Sequence, residues 1–168
     1  LYDGAVLQSS ELEIPHPRMA FRRFVLEPAA EIASWMIHPE SGWTVGALLQ
    51  HLNCGAQRIA VAAEDNATAD RLASQIAERL KLRITMADSA TGDRPVVSRW
   101  PANEGGVRSA RPKLLLAVAL AAGTDAAQMR RMLHLPRTGP VAWIAPGSAE
   151  ALHDAVAAVQ SVWPALAT

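Results

Sequence analysis

Apolar and polar positions along the chain change period several times, and each change marks an element. Pro28 suits the first turn of a helix, and Ile32, Trp35 and Met36 can share one of its faces, so a helix is expected to open at Pro28. A second short helix is predicted over 44–52, where Val45, Leu48, Leu49 and Leu52 follow Ser41-Gly42 at the spacing of one stripe and Asn53-Cys54-Gly55 closes the run. From Arg58 the style shifts. Ile59-Ala60-Val61-Ala62-Ala63 is a buried-strand run, and the helix after Glu64-Asp65-Asn66 carries Leu72, Ala73, Ile76, Ala77 and Leu80 on one side. With a strand from Arg83 to Ala87 this makes a β-α-β unit, which favours a parallel pair joined by a right-handed crossover.

Residues 88–111, rich in Gly, Ser, Pro, Arg and Asn, read as irregular, with an edge strand at Pro95 to Trp100 and a mobile loop around Gly105-Gly106. Leu114 to Leu120 is the most apolar strand and is expected at the centre of the sheet. Asp125 with Gln128 three residues on resembles a capping box for a helix through Met129, Met132 and Leu133. Val141 to Ala145 reads as a further strand. Ser148 is placed as the cap of a last helix with the stripe Leu152, Val156, Val159 and Trp163, ended by Pro164. Strands alternating with helices over 58–163 call for an α/β fold, a three-layer domain on a mostly parallel sheet.

The first third is different. Short extended runs flank a turn at Asp3-Gly4 and lead through Glu11 to Ile14 into a proline-locked core, with a strand-like exit at Phe24-Val25-Leu26. The chain opens on leucine in the middle of this strand and turn, as a piece of something longer would. Its 168 residues allow one full core, or one domain and an extension. A formal net charge of zero argues against nucleic acid or an acidic membrane surface as general partner, although Arg18, Arg22 and Arg23 cluster locally. The single cysteine, Cys54, excludes an internal disulfide and fits a reducing, cytoplasmic setting. No apolar run approaches the roughly 20 residues of a membrane helix, and no secretion signal opens the chain.

Pro15-His16-Pro17-Arg18-Met19, then Arg22 or Arg23, then Phe24-Val25-Leu26-Glu27-Pro28 form a run of fixed spacing, preceded by Leu1-Tyr2-Asp3-Gly4 and followed by Ala30-Glu31-Ile32-Ala33 and His38-Pro39. This run closely resembles the C-terminal signature of the 6-hydroxymethyl-7,8-dihydropterin pyrophosphokinases of folate synthesis, over residues 1 to about 52. The resemblance implies an N-terminal extension from a ferredoxin-like fold, and transfer of pyrophosphate from ATP to a pterin with two magnesium ions. It makes His16 and Arg22 phosphate-binding residues, with Arg18 beside them at the ATP site, and Phe24 the aromatic that stacks on the pterin. Glu11 and the pair Ala20-Phe21 depart from the family pattern. The family's magnesium aspartates fall upstream of Leu1, so the expectation is that this chain alone has no pyrophosphokinase activity.

The strand, loop and helix from Arg58 to Leu80 resemble the opening of P-loop kinases, including nucleoside kinases. The loop Ala63-Glu64-Asp65-Asn66-Ala67-Thr68-Ala69-Asp70, however, lacks the glycines and the Lys-Ser/Thr pair that cradle phosphate. Pro112 before the apolar strand and Arg130-Arg131 on the next helix agree with that resemblance, which implies a dead nucleotide site. A generic α/β domain is the plainer alternative. The five histidines lack metal-ligand spacing, so no zinc site is expected, and the tryptophans read as packing.

The chain thus reads as 1–54, the end of a pyrophosphokinase-like domain, joined to 55–168, an α/β domain with a degenerate phosphate loop. Nucleotide and pterin are the implied small-molecule partners. Because strand edges in 1–54 lack their upstream neighbours, a homodimer or an arm-like N-terminal segment is expected. The alternatives are a non-catalytic interaction or oligomerisation domain, and an unconventional nucleotide-binding module using the loop Ala63 to Asp70.

Overall fold

The computed structural model describes residues 5–9, 12–16, 18–85, 94–100, 111–119 and 125–167. The expected turn at Leu1 to Gly4, Glu11, Pro17, the end of the Arg83–Ala87 strand, the Gly105-Gly106 loop and Leu120 lie outside these.

A two-stranded antiparallel ribbon, β1 (Leu7–Gln8) and β2 (Glu13–Ile14), opens the chain. A single 3-10 turn at Met19–Phe21 follows, with all three side chains buried. Helix α1 spans Arg23–Ala33, so the expected strand-like exit at Phe24-Val25-Leu26 is helical and Pro28 lies inside the helix. The core decides this: Leu26 is fully buried, and Val25, Ala29 and Ala30 pack beside it at helical spacing. The same choice turns the anticipated face outward, leaving Ile32 84% and Trp35 71% exposed. Small residues let the next helix approach, since a Cβ on Gly46 would stand 3.2 Å from the Ser34 carbonyl oxygen.

An unanticipated hairpin, β3 (Ile37–His38) and β4 (Trp43–Thr44), leads into α2 (Val45–Cys54). Thr44 caps α2 by accepting from the Ala47 amide at 3.1 Å, and Val45, Leu48 and Leu52 form its buried stripe, as the spacing predicts.

The rest is an α/β unit: β5 (Ala56–Ala62), α3 (Asn66–Leu80), β6 (Arg83–Ile84), β7 (Val96–Arg99), β8 (Pro112–Val118), α4 (Ala126–Met132), β9 (Ala142–Ile144) and α5 (Ser148–Val162). The five strands are parallel in the order β6-β7-β5-β8-β9. The expected edge strand at Pro95–Trp100 is therefore interior, and β6 is the edge. Val96, Val97 and Ser98 are buried and fill the place beside β5, whereas Arg83 and Ile84 are exposed and suit a margin. Gly147, at φ +129°, occupies the cap position of α5, so Ser148 begins the helix instead of capping it. The α5 stripe is also rotated toward Ala151, Ala155, Ala158 and Val159, because small side chains let the helix lie close on β8 and β9. In α4 the apolar expectation fails at Met132, which is exposed, while Leu133 and Leu135 are buried just after the helix.

One face of the sheet carries Ile59, Val61, Leu114, Leu116 and Ile144 against α3 and α5. Met19, Phe21, Leu26, Leu48 and Leu52 belong to the same apolar cluster. Residues 19–54 are thus a layer of this core, not an arm. The opposite face is small, with Ala60, Ala62, Leu115 and Ala117 under Leu133, Leu135 and Val141.

Candidate anion-binding sites

The 3-10 turn builds the first site. Its buried face pins the backbone between the Met19 amide, which donates to the His16 carbonyl at 2.9 Å, and the Arg22 amide, which donates to Met19 at 3.1 Å. His16, Arg18 and Arg22 are thereby gathered at a cavity of about 450 Å³, whose far wall is Ala142 to Ile144 of β9, Ala145 just after it, and Asp154 of α5. Arg18 Nη2 donates to Asp154 Oδ1 at 2.8 Å.

The tautomer of His16 follows from geometry. The Arg18 backbone amide donates to His16 Nδ1 at 3.1 Å, so in a neutral ring the proton sits on Nε2. Nε2 then faces Arg22 Nη1, 3.4 Å away, with two N–H donors converging and no acceptor between them. An oxyanion placed there would accept from both. Phe24 does not line this cavity; it is 71% exposed on α1, with the Arg22 guanidinium 5.9 Å from its ring centre.

The second site lies where the sheet connections diverge, outside the carboxyl ends of β5 and β8, the place where open α/β sheets receive ligands. A cavity of about 260 Å³ there is lined by Ala63, Glu64, Asp65, Thr68 and Val118, at the amino end of α3. Its anion position is already filled. Asp65 accepts from the Thr68 amide at 2.8 Å and from Thr68 Oγ1 at 2.7 Å, and these bonds hold its carboxyl below the usual range. Arg130, one of the two arginines that agreed with the P-loop-kinase resemblance, is buried and donates to the carbonyls of Pro136 and Gly139.

Asp154 lines the first cavity and is engaged by Arg18. Among the described residues no three His, Cys, Asp or Glu side chains group closely enough to hold a metal ion, so these residues do not fit a magnesium pair. Asp154 escaped the sequence reading because it lies 136 residues downstream of Arg18, and β9 is likewise remote, with no motif around either.

Three similarities to curated proteins cover part of the chain. It is 44% identical over 55 residues to a 2-amino-4-hydroxy-6-hydroxymethyldihydropteridine pyrophosphokinase of Synechocystis, a stretch covering 33% of this chain and 28% of that protein. It is 50% identical over 38 residues to the folic acid synthesis protein FOL1 of Dictyostelium discoideum, covering 23% of this chain and 6% of that protein. With the folic acid synthesis protein fol1 of Pneumocystis carinii it shares 33% identity over 51 residues, covering 30% and 7%. The chain therefore spans less than a third of the length of each of these relatives. No family model matches the chain, and no solved structure matches it.

Proposed function

We propose that residues 1–54 are the closing segment of a pterin pyrophosphokinase-like domain and that the His16–Arg18–Arg22 cavity is the phosphate-holding half of its ATP site. The observation that carries this reading is the pair of converging donors, His16 Nε2 and Arg22 Nη1, 3.4 Å apart. A polyphosphate there would gain two charge-assisted or fixed hydrogen bonds, with Arg18 available once it exchanges Asp154 for phosphate. Phe24, exposed beside Arg22, would offer its face to the pterin ring. In the intact parent, ATP and magnesium would then support pyrophosphate transfer to 6-hydroxymethyl-7,8-dihydropterin. This chain alone would bind phosphate without turning over, since its described residues do not fit the metal pair that would neutralise the transferred group.

In the same reading, residues 55–168 form an appended α/β domain with P-loop-kinase ancestry, whose phosphate place is closed by Asp65. The chain would act in the cytoplasm on small molecules, without nucleic acid or membrane as partner. Its zero net charge fits that, and among the described residues no helix is long and apolar enough to cross a membrane.

The test is calorimetric titration of the whole chain with tripolyphosphate in the presence of a chelator. Binding that weakens at least about tenfold in Arg22→Ala supports the reading, and a native chain that takes up no tripolyphosphate overturns it.

One observation favours a second reading, an interaction or oligomerisation domain. Phe24, Ile32, Trp35 and Ile37 stand exposed along α1 and the start of β3, an apolar stripe that a second copy of the chain could cover. Light scattering decides it: a homodimer that falls apart in Trp35→Glu supports this reading, and a monomer at high concentration removes it.

A further inference from the structure

A further cavity bordered by the described residues belongs to neither anion site. It measures about 590 Å³ and lies between α2 and the amino ends of β5 and β8, bordered by Trp43, Ala47, Gln50, His51, Cys54 and Arg111. Among the described residues no aspartate or glutamate lines it. We propose that it is a binding site for a small monocarboxylate with a flat apolar body, the carboxylate paired with Arg111 and the body resting against Trp43 and Ala47.

Arg111 is seated with unusual care. Its guanidinium lies 4.7 Å from the Trp43 ring centre, and Nη2 donates to the Thr138 carbonyl at 2.7 Å. The far side is the backbone of Gly139, at φ +100°, where a Cβ would come within 1.9 Å of Arg111 Nη1. Any residue but glycine would therefore displace the guanidinium. A guanidinium carries five N–H donors, yet no carboxylate pairs with Arg111 among the described residues, and Thr138 supplies its one hydrogen-bond acceptor there. An arginine that served only to hold the 138–139 loop would not need its remaining donors beside an open cavity.

The charge and shape of the ligand follow from the lining. His51 stands edge-on to Trp43 at 5.4 Å. Burial, and then the charge of Arg111, push its pKa below the ordinary value, so it is a neutral imidazole at physiological pH. One cation without a second among the described lining residues suits a single negative charge, where a phosphate dianion would ask for more donors. The indole, the imidazole edge and Ala47 form a mostly apolar wall for a ring.

Cys54, the only cysteine of the chain, lines the cavity and is exposed, so the rate of its alkylation by iodoacetamide reports occupancy. Benzoate is the probe and benzamide its uncharged counterpart. Benzoate is expected to slow alkylation of the native protein and to shift the Trp43 indole resonance, while benzamide at equal concentration does neither. Arg111→Met should weaken benzoate by about tenfold or more, the loss of a charge-assisted pair. Ala47→Phe, which fills the cavity from α2 and leaves Arg111 in place, should abolish protection even if Arg111→Met fails to fold. Equal protection by benzamide, no protection by benzoate up to its solubility limit, or protection unchanged in Ala47→Phe would each overturn the proposal.

Discussion

The cavity at His16 and the crevice outside β5 and β8 both have the geometry to meet an anion, and they differ in who supplies the acceptor. In the cavity the donors are side chains, His16, Arg18 and Arg22, and among the described residues the only carboxylate on the wall comes from α5 as the Arg18–Asp154 pair. Both members of that pair are about one-third exposed, and such pairs contribute little, so phosphate can compete for Arg18. In the crevice the donors are backbone amides at the start of α3, and the acceptor is Asp65, covalently next to them and held by two hydrogen bonds. It cannot leave. Donor geometry alone therefore does not make an anion site; what matters is whether the chain has already filled it.

The largest expected effect concerns the core that carries the cavity. Leu48 is fully buried in α2, in the cluster that joins the 3-10 turn to the sheet. Leu48→Ala should cost about 2–5 kcal/mol in a urea unfolding curve and loosen the cavity, while the crevice keeps its cap. Separate melting of the sheet, unaffected by the substitution, would show that residues 19–54 are detachable after all.

Next comes pH. His38 is 3% exposed, accepts from the Ser41 amide through Nδ1, and its pKa is lowered from 6.5 to about 4, chiefly by burial. Above 6.5 the ring is neutral in both states; between 6.5 and about 4 the unfolded chain takes a proton that the folded chain refuses. Stability should therefore fall with pH across that window, by on the order of 3 kcal/mol in total. Glu40, whose carboxyl is pushed up by burial, acts in the opposite sense. The measure is thus the difference between the native protein and His38→Gln, and a difference independent of pH would contradict the assignment. A smaller effect is expected at Arg22. Arg22→Ala should weaken tripolyphosphate by about 10–100-fold at the cavity, with the Thr68 amide resonance in the crevice unmoved throughout the titration.

The two regions were also unequally legible in the sequence. The helix carrying Leu72, Ile76 and Leu80 and the strand at Leu114 to Leu116 are readable because periodicity reports burial directly, and both are buried as the pattern implies. Around Pro28 the pattern misleads. Large apolar residues at Ile32 and Trp35 look like a buried face, but close approach of α1 to α2 favours the small side of the helix. The place of β7 inside the sheet depends on the weakness of β6 as a neighbour, which no local window contains. The grouping of His16, Arg18 and Arg22 could be expected from their nearness in sequence, whereas Asp154 could not, because topology alone brings α5 there. Trp43, His51, Cys54 and Arg111 likewise look like separate packing residues until β8 returns beside α2.

The smallest expected effect tests the crevice itself. Asp65→Ser replaces the carboxylate with another capping side chain, so the melting temperature should fall only slightly. The depressed pKa of Asp65 means that its cap contributes above the ordinary carboxylate range and is lost as pH falls through the lowered value. A serine cap removes that acid sensitivity. Phosphate should still not bind, because Glu64 remains on the wall and Ala63, Asn66 and Ala67 stand where a phosphate loop needs glycines to turn successive amides inward. If the Thr68 amide of Asp65→Ser did shift on addition of tripolyphosphate, a single carboxylate would be all that separates the crevice from an open anion site.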